Sequence, residues 1–191
     1  MVAVMLAACS NKPPENEGDY VAQVAAERAQ KDADFQKGSD PIPDNRKAAL
    51  LPLVYFPIDP TYKVPSVLKR VDDPTIIEMP TSTGTTRRMR RFGALEFVLK
   101  GQPLKLTALV EVADPTHLFI AFNDLTSGTE TYPAGRYLDI TPNTTGNYEL
   151  DFNRAYNPYC YYNATYECPY PPTENRLKVP VRAGERIRLD K

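Results

Sequence analysis

The chain has 191 residues and a net charge of −1, from 23 basic and 24 acidic side chains. This length allows one domain with a sizeable core, and so balanced a charge gives no reason to expect nucleic acid as a partner. The 19 prolines favour a β-rich fold with ordered loops, because proline interrupts helices and is common at strand ends and turns.

The N-terminus resembles the end of a lipoprotein signal peptide. Residues 1–8 are apolar, and small residues precede Cys9, as in a bacterial lipobox whose cysteine receives diacylglycerol. We therefore expect lipidation of Cys9, a polar tether over residues 10–19 and a single domain over residues 20–191. The alternative is an ordinary apolar N-terminus with a chance cysteine.

This interpretation makes the protein extracytoplasmic and anchored to the membrane by lipid. Ser10 follows Cys9 in place of the aspartate expected for inner-membrane retention, which favours the outer membrane in a Gram-negative source. None of the eight residues before Cys9 is basic, whereas a signal peptide starts with a basic region. We therefore expect the start codon to lie upstream and Met1 to be internal.

Two helices are predicted before the strands begin. Residues 20–37 are rich in Ala, Gln, Lys and Glu and predict a mostly solvated helix that ends at Gly38. Asp44 is the expected N-cap of a short helix that ends at Leu51, because Pro52 follows.

Short apolar runs separated by Pro, Gly and Asp predict strands in the rest of the chain. Their spacing of roughly ten residues favours a mainly β fold, a single antiparallel β-sandwich or barrel-like domain preceded by the N-terminal helix. The clearest strand is 104–112, where apolar residues alternate with polar ones. The predicted strands are 53–56, 62–64, 67–71, 75–79, 85–92, 95–99, 104–112, 118–122, 136–140, 148–152, 176–181 and 186–189.

Three motifs carry a family resemblance. They are FNDLTSGTETYPAGRYLDI (122–140), DFNRAYNPYCYYN (151–163) and ECPYPPTENRLKVPVRAGE (167–185). Together with VYFPIDPTYKVP and FGALEFVLKG nearer the N-terminus, they resemble the bacterial and archaeal domain-of-unknown-function family 1684. The resemblance covers about residues 25–190. Members are uncharacterised and many resemble lipoproteins, so the resemblance implies no reaction and no cofactor.

Cys160 and Cys168 remain as a pair if Cys9 carries lipid. Disulfides persist outside the cytoplasm, and a bridge here would stabilise the fold by roughly 2.5 kcal/mol in the chain-entropy model. Two free thiols near each other are the alternative. A metal site is disfavoured, because zinc needs more ligands and the one histidine, His117, is distant in sequence.

The segment Asp151–Leu177 contains six tyrosines and is the strongest candidate for a binding site. Tyrosine offers an apolar ring and a hydroxyl group, which suits sugar or peptide recognition. The alternative is that the rings cover the open end of a barrel. These tyrosines are Tyr156, Tyr159, Tyr161, Tyr162, Tyr166 and Tyr170.

Polar residues near these tyrosines predict either a ligand pocket or internal pairing. Arg136 is suited to grip a carboxylate or phosphate, or else to pair with Asp151 or Glu185. The complete set of candidate ligand-binding residues is Arg136, Tyr137, Asp151, Asn153, Tyr156, Asn157, Tyr159, Asn175 and Glu185.

The favoured function is non-catalytic binding of a small molecule, glycan or peptide at the cell envelope. A hydrolase that uses paired carboxylates such as Asp124 and Asp151 is one alternative, and a structural envelope protein without a ligand is another. His117 has no adjacent serine or cysteine, and we assign no catalytic residue, metal or cofactor. The arginine run 87–91 suits anionic lipid contact or a charged edge strand.

Overall fold

The structure is a computed structural model that describes residues 16–71 and 75–189. The helices are α1 (Glu17–Lys37), α2 (Asp44–Leu50) and α3 (Tyr159–Tyr162). The strands are β1 (Lys63–Arg70), β2 (Ile76–Pro80), β3 (Thr86–Leu99), β4 (Gln102–Glu111), β5 (Leu118–Phe122), β6 (Arg136–Ile140) and β7 (Asn147–Asp151). Cys9 and the first part of the expected tether lie outside the described residues.

All seven strands belong to one antiparallel sheet. The order is β6-β5-β4-β3-β1-β7, and β2 pairs with β3 beside this path. The sheet curls into a half-barrel. The predicted mainly β, barrel-like fold with an N-terminal helix is therefore confirmed.

One face of the sheet packs on the main hydrophobic core. Alternate residues of the strands, such as Leu95, Leu106 and Ile120, are fully buried there, as the two-residue period of a strand requires. The C-terminal segment 177–183 closes this core from the other side with Leu177, Val179, Val181 and Ala183.

The opposite face of the sheet is covered at β3 to β6. Met89 and Leu109 form a small cluster there with Met79, and Ala121 packs with Tyr137, Cys160 and Cys168. Residues 156–170, which we call the tyrosine loop, provide the cover over Ala121 and Tyr137. Strand β5 is therefore buried on both faces, as its apolar sequence predicts.

Helix α1 is attached along the C-terminal half of the domain. Asn16 caps the helix by accepting from the N–H of Gly18. The hydroxyl of Tyr20 donates to Asp151 at 2.8 Å, and the ammonium of Lys31 lies 2.6 Å from Glu185. No helix in the described ranges is both long and apolar enough to cross a membrane.

Three of the predicted strands are wrong, because none of these segments forms a regular strand. Residues 176–181 and 186–189 form no regular strand, and Arg176 makes only an isolated bridge with Asn123. Segment 53–56 likewise retains a single bridge, between Tyr55 and Glu185. In the C-terminal segment, scattered backbone hydrogen bonds, such as that from Leu125 to Val179, take the place of a regular ladder. The side chain of Arg136 also binds three of its carbonyl groups.

Two predicted strand breaks are absent. Pro65 lies inside β1, which is tolerated because pairing with β3 begins only at Ser66. Strand β3 continues through a bulge between Arg91 and Gly93. Glycine is needed there because an added Cβ would lie 2.5 Å from the carbonyl oxygen of Lys69.

Two smaller expectations are also wrong. Pro43, and not Asp44, occupies the N-cap of α2, and Asp44 lies in the first turn, where its charge suits the helix dipole. Strand β3 carries the arginine run in the interior of the sheet, with β4 on one side and β1 and β2 on the other. The edge-strand interpretation of these arginines therefore fails.

Candidate functional site

A cleft of about 520 Å³ lies between the tyrosine loop and the sheet. Its volume falls in the range of small-molecule sites, about 300–1,000 Å³. We call it the tyrosine cleft. Its lining residues are Lys31, Arg87, Glu111, Phe119, Tyr137, Asp139, Tyr156, Tyr159, Tyr166, Glu167, Cys168 and Pro169.

The floor of the cleft is built by strand alternation, with Phe119 at its centre. Phe119 pairs with Leu109 of β4 on one side and with Asp139 of β6 on the other. Because every second residue of a strand points to the same face, Glu111 and Tyr137 also face the cleft. The sheet therefore presents an aromatic centre with carboxylates on both sides.

The tyrosine loop forms the wall. Tyr156 exchanges backbone hydrogen bonds with Tyr137 at 2.9 and 3.1 Å, which attaches the loop to the edge of β6. The rings of Tyr159 and Tyr166 meet edge to face, with centroids 5.3 Å apart. The wall is therefore an ordered aromatic surface joined to the sheet.

Tyr156 also positions the carboxylate of Asp139. Its hydroxyl donates to Oδ2 of Asp139 at 2.5 Å. Burial, together with the adjacent carboxylate of Asp139, raises the pKa of Tyr156 well above its usual range. The phenol therefore stays protonated and acts as a fixed donor.

Two cations reach the cleft from different parts of the chain. The ammonium of Lys31 lies 2.6 Å from Glu185 and 5.1 Å from the ring centroid of Tyr156. The guanidinium of Arg87 lies 3.5 Å from Glu111 and donates to the carbonyl oxygen of Glu167 at 3.1 Å. Both cations are thus engaged by the protein itself.

The cleft continues into a smaller hollow of about 240 Å³. Asp114 and His117 line this hollow together with residues shared with the cleft, such as Glu111 and Asp139. The Nδ1 of His117 lies 2.8 Å from the hydroxyl of Thr116. His117 is therefore near the candidate site, although its sequence position gave no indication of this.

Cys160 and Cys168 are both free thiols in the structure. The backbone N–H of Cys160 donates to Sγ of Cys168 at 3.1 Å, so the two side chains are neighbours. The thiol of Cys168 donates to the sulfur of Cys160, which lowers the pKa of Cys160 to about 6 and raises that of Cys168. The disulfide between them stays a prediction.

Arg136 lies in a different region, which we call the Arg136 cluster. Its side chain is 1% exposed and lies 2.9 Å from the carboxylate of Asp124. It also donates to the carbonyl oxygens of Val181, Ala183 and Glu185. Asp124 in turn accepts from the N–H of Val181 at 3.1 Å. This cluster fixes the C-terminal segment and does not line the tyrosine cleft.

The predicted asparagines also bind backbone groups. Asn175 donates to the carbonyl oxygens of Thr107 and Ala121 at 2.9 Å and accepts from the N–H of Thr107 at 2.7 Å. Asn157 donates to the carbonyl oxygen of Arg186. Asn153 joins Asp59 through its carbonyl and amide groups. These contacts hold separate segments together.

The remaining predicted acidic residues also form hydrogen bonds or ion pairs within the protein. Asp151 accepts from Tyr20 and pairs with Arg154, whereas Asp124 pairs with Arg136. The two carboxylates proposed as a hydrolytic pair thus have separate partners, and neither lines the cleft. Glu185 accepts from the hydroxyl of Tyr162 at 2.5 Å.

The structure therefore divides the nine predicted ligand residues. Tyr137, Tyr156 and Tyr159 line the cleft. Asn153 and Glu185, again with Tyr156, line a hollow of about 220 Å³ beneath α1. The other four, Arg136, Asp151, Asn157 and Asn175, line neither space.

The tyrosines are divided in the same way. Tyr162 is fully buried and packs against Phe35 of α1, so part of the loop does cover a core. Cleft residues that sequence reasoning did not propose as ligand contacts include Lys31, Arg87, Glu111, Phe119, Asp139 and Glu167. Asp139 could have been found, because it lies two residues after Tyr137 on the same strand.

Comparison with known proteins places this chain in one family. The family described as "Protein of unknown function (DUF1684)" matches residues 49–186, and no curated protein matches the chain. The solution NMR structure of an uncharacterised protein from Haloarcula marismortui is similar, with a TM-score of 0.73 and 35% identity over 94% of this chain and 100% of that chain. Since the match covers more than half of its length, the chain belongs to the DUF1684 family of proteins of unknown function.

Proposed function

We propose that this protein binds a small or short extended ligand in the tyrosine cleft and leaves it chemically unchanged. The observation that carries the proposal is the convergence of aromatic side chains from the sheet and the loop on one open cleft, with carboxylates beside them. Those aromatic residues are Phe119, Tyr137, Tyr156, Tyr159 and Tyr166. A cleft that combines aromatic side chains with placed polar groups is a common form of ligand site.

A glycan or a peptide segment fits this arrangement best. Both present an apolar surface that packs on aromatic rings and polar groups that hydrogen-bond with carboxylates and tyrosine hydroxyls. Asp139 and Glu167 supply the carboxylates, and the half-exposed ring of Tyr159 lies at the cleft.

We place this activity at the cell envelope, with the domain held to the membrane by lipid on Cys9. The support is the apolar run and small residues before Cys9 and the polar segment after it. Metabolic labelling with a fatty-acid analogue tests this part. We expect label on the natural protein and none on Cys9→Ala, and an unlabelled natural protein would contradict the anchor.

Binding is tested with two tyrosines of equal exposure. Tyr159 and Tyr170 are each 41% exposed, but only Tyr159 lines the cleft. In a screen of glycans and peptides, we expect Tyr159→Ala to weaken binding about tenfold, or roughly 1.4 kcal/mol, and Tyr170→Ala to have little effect. Equal loss in both variants, or none, would contradict the site. A chemically altered ligand would favour the hydrolase alternative.

A further inference from the structure

The charges that face the tyrosine cleft are unequally compensated. Lys31 is held by Glu185 at 2.6 Å, and Arg87 lies 3.5 Å from Glu111. By contrast, Asp139 and Glu167 take part in no salt bridge within the described part of the chain. The cleft therefore has two carboxylates without a cation, while both of its cations are already paired.

Asp139 is the carboxylate best placed to receive a ligand. It lies on the floor directly opposite Phe119 in the β5–β6 register. The hydroxyl of Tyr156 binds its Oδ2, whereas its Oδ1 has no hydrogen-bond partner among the described residues. One oxygen is thus fixed by the protein and the other is available.

The aromatic wall already accommodates an ammonium group. The Nζ of Lys31 lies 5.1 Å from the ring centroid of Tyr156 and 5.3 Å from that of Phe35. Aromatic ring faces attract cations within about 6 Å. Carboxylates combined with tyrosine rings are therefore more favourable to a positively charged ligand than to a neutral or anionic one.

We infer that the ligand of the tyrosine cleft carries a protonated amino or quaternary ammonium group, which pairs with Asp139 beside the rings of Phe119 and Tyr156. This inference rests on the proposed binding function and adds the charge of the ligand to it. An amino sugar combines such a cation with an apolar ring surface. A free alkylammonium compound offers the cation alone.

Calorimetric titration of the full chain distinguishes an amino sugar from a free alkylammonium compound as the ligand. The probes are a glucosamine trisaccharide, its N-acetylated counterpart and choline, at mildly acidic pH where amines are protonated and carboxylates are still ionised. We expect the aminated trisaccharide to bind at least tenfold more tightly than the acetylated one. Because the preference is electrostatic, it should shrink as salt is added.

Two matched variants locate the cation. Asp139→Asn keeps the shape and the acceptor for Tyr156, and it should remove the preference for the amine. Glu149→Gln removes the same charge on β7, at the opposite end of the sheet order from β6, and should leave the preference unchanged. If both variants lose it equally, the pairing with Asp139 is wrong.

The remaining outcomes distinguish the inference from the proposed function. Equal or tighter binding of the acetylated trisaccharide overturns the cationic ligand but leaves a glycan-binding cleft. Choline binding without trisaccharide binding supports the ammonium group and identifies it as the whole determinant. If no probe binds while other glycans or peptides do, the inference fails alone; if nothing binds, both fail.

Discussion

Strand β6 separates two polar regions with opposite properties. Arg136 points to the interior, where it is 1% exposed and bound by Asp124 and three carbonyl groups. Tyr137 and Asp139 point to the tyrosine cleft, where Asp139 keeps a free oxygen. Residues adjacent in the sequence therefore belong to different regions, because successive side chains of a strand face opposite sides.

The two regions differ in where their polar groups lie. In the Arg136 cluster, the bonds from Arg136 to three carbonyl groups join the C-terminal segment to the sheet, and Asp124 pairs with the same guanidinium. In the tyrosine cleft, carboxylates and hydroxyls border open space. We therefore assign the Arg136 cluster to stability and the cleft to binding.

Arg136→Met should have the largest effect on stability. It leaves the carboxylate of Asp124 buried without its cation, which typically costs about 3–5 kcal/mol. Denaturant unfolding measures the free energy of unfolding. Arg182→Met is the control, since its pair with Glu130 is 57% exposed on the arginine side and should cost less than about 1 kcal/mol. Equal effects would contradict the structural assignment.

Asn175→Ala should have the next largest effect on stability. Its amide joins Thr107 and Ala121 through three hydrogen bonds, and leaving buried backbone groups unpaired costs about 1–3 kcal/mol. The free energy of unfolding should fall by about that amount. Asn147→Ala, at an exposed position of β7, should change it by less than about 0.5 kcal/mol. An Asn175→Ala protein as stable as the natural one would contradict the structural role and would make Asn175 a candidate ligand-binding residue again.

Oxidation of Cys160 and Cys168 should stabilise the protein by roughly 2.5 kcal/mol. The thiols are neighbours in the tyrosine loop, and a bridge would restrict the unfolded chain and stiffen the cleft wall. Unfolding with and without reductant measures the gain, and Cys160→Ser should show none. Mass spectrometry confirms the bridge through the loss of two hydrogens. An unchanged midpoint in reductant would count against the disulfide.

Much of the fold could be predicted because its patterns are local. Strands β5 and β6 have the predicted bounds, since an apolar run and its turn signals occupy adjacent residues. The C-terminal segment could not be predicted, because its apolar residues resemble strands. Three of its carbonyl groups instead bind Arg136, 45 residues or more earlier in the chain. Side-chain partners at that separation leave no periodic signal.

The candidate site was predictable in part, because some of its signal is also local in the sequence. The composition of the tyrosine loop identified Tyr156 and Tyr159, and both line the cleft. Lys31 was missed because α1 brings it from the far end of the chain. Arg136 was included because polar residues near an unusual loop look alike in sequence, whether they are buried or open.

Asp139→Asn should have the smallest effect on stability. The side chain is exposed and asparagine still accepts from Tyr156, so the free energy of unfolding should change by no more than about 0.5 kcal/mol. The preference for an amine should nevertheless disappear. A strongly destabilised variant would show that Asp139 belongs with the structural residues.

The division between the two regions is tested most directly by NMR titration of the natural protein with the glucosamine trisaccharide. We expect shifts at the rings of Phe119, Tyr156 and Tyr159, with the guanidinium of Arg136 and the side-chain amide of Asn175 unmoved. Shifts at Arg136 and Asn175 with unmoved cleft rings would contradict this division, because the ligand would then bind where we place only structural contacts.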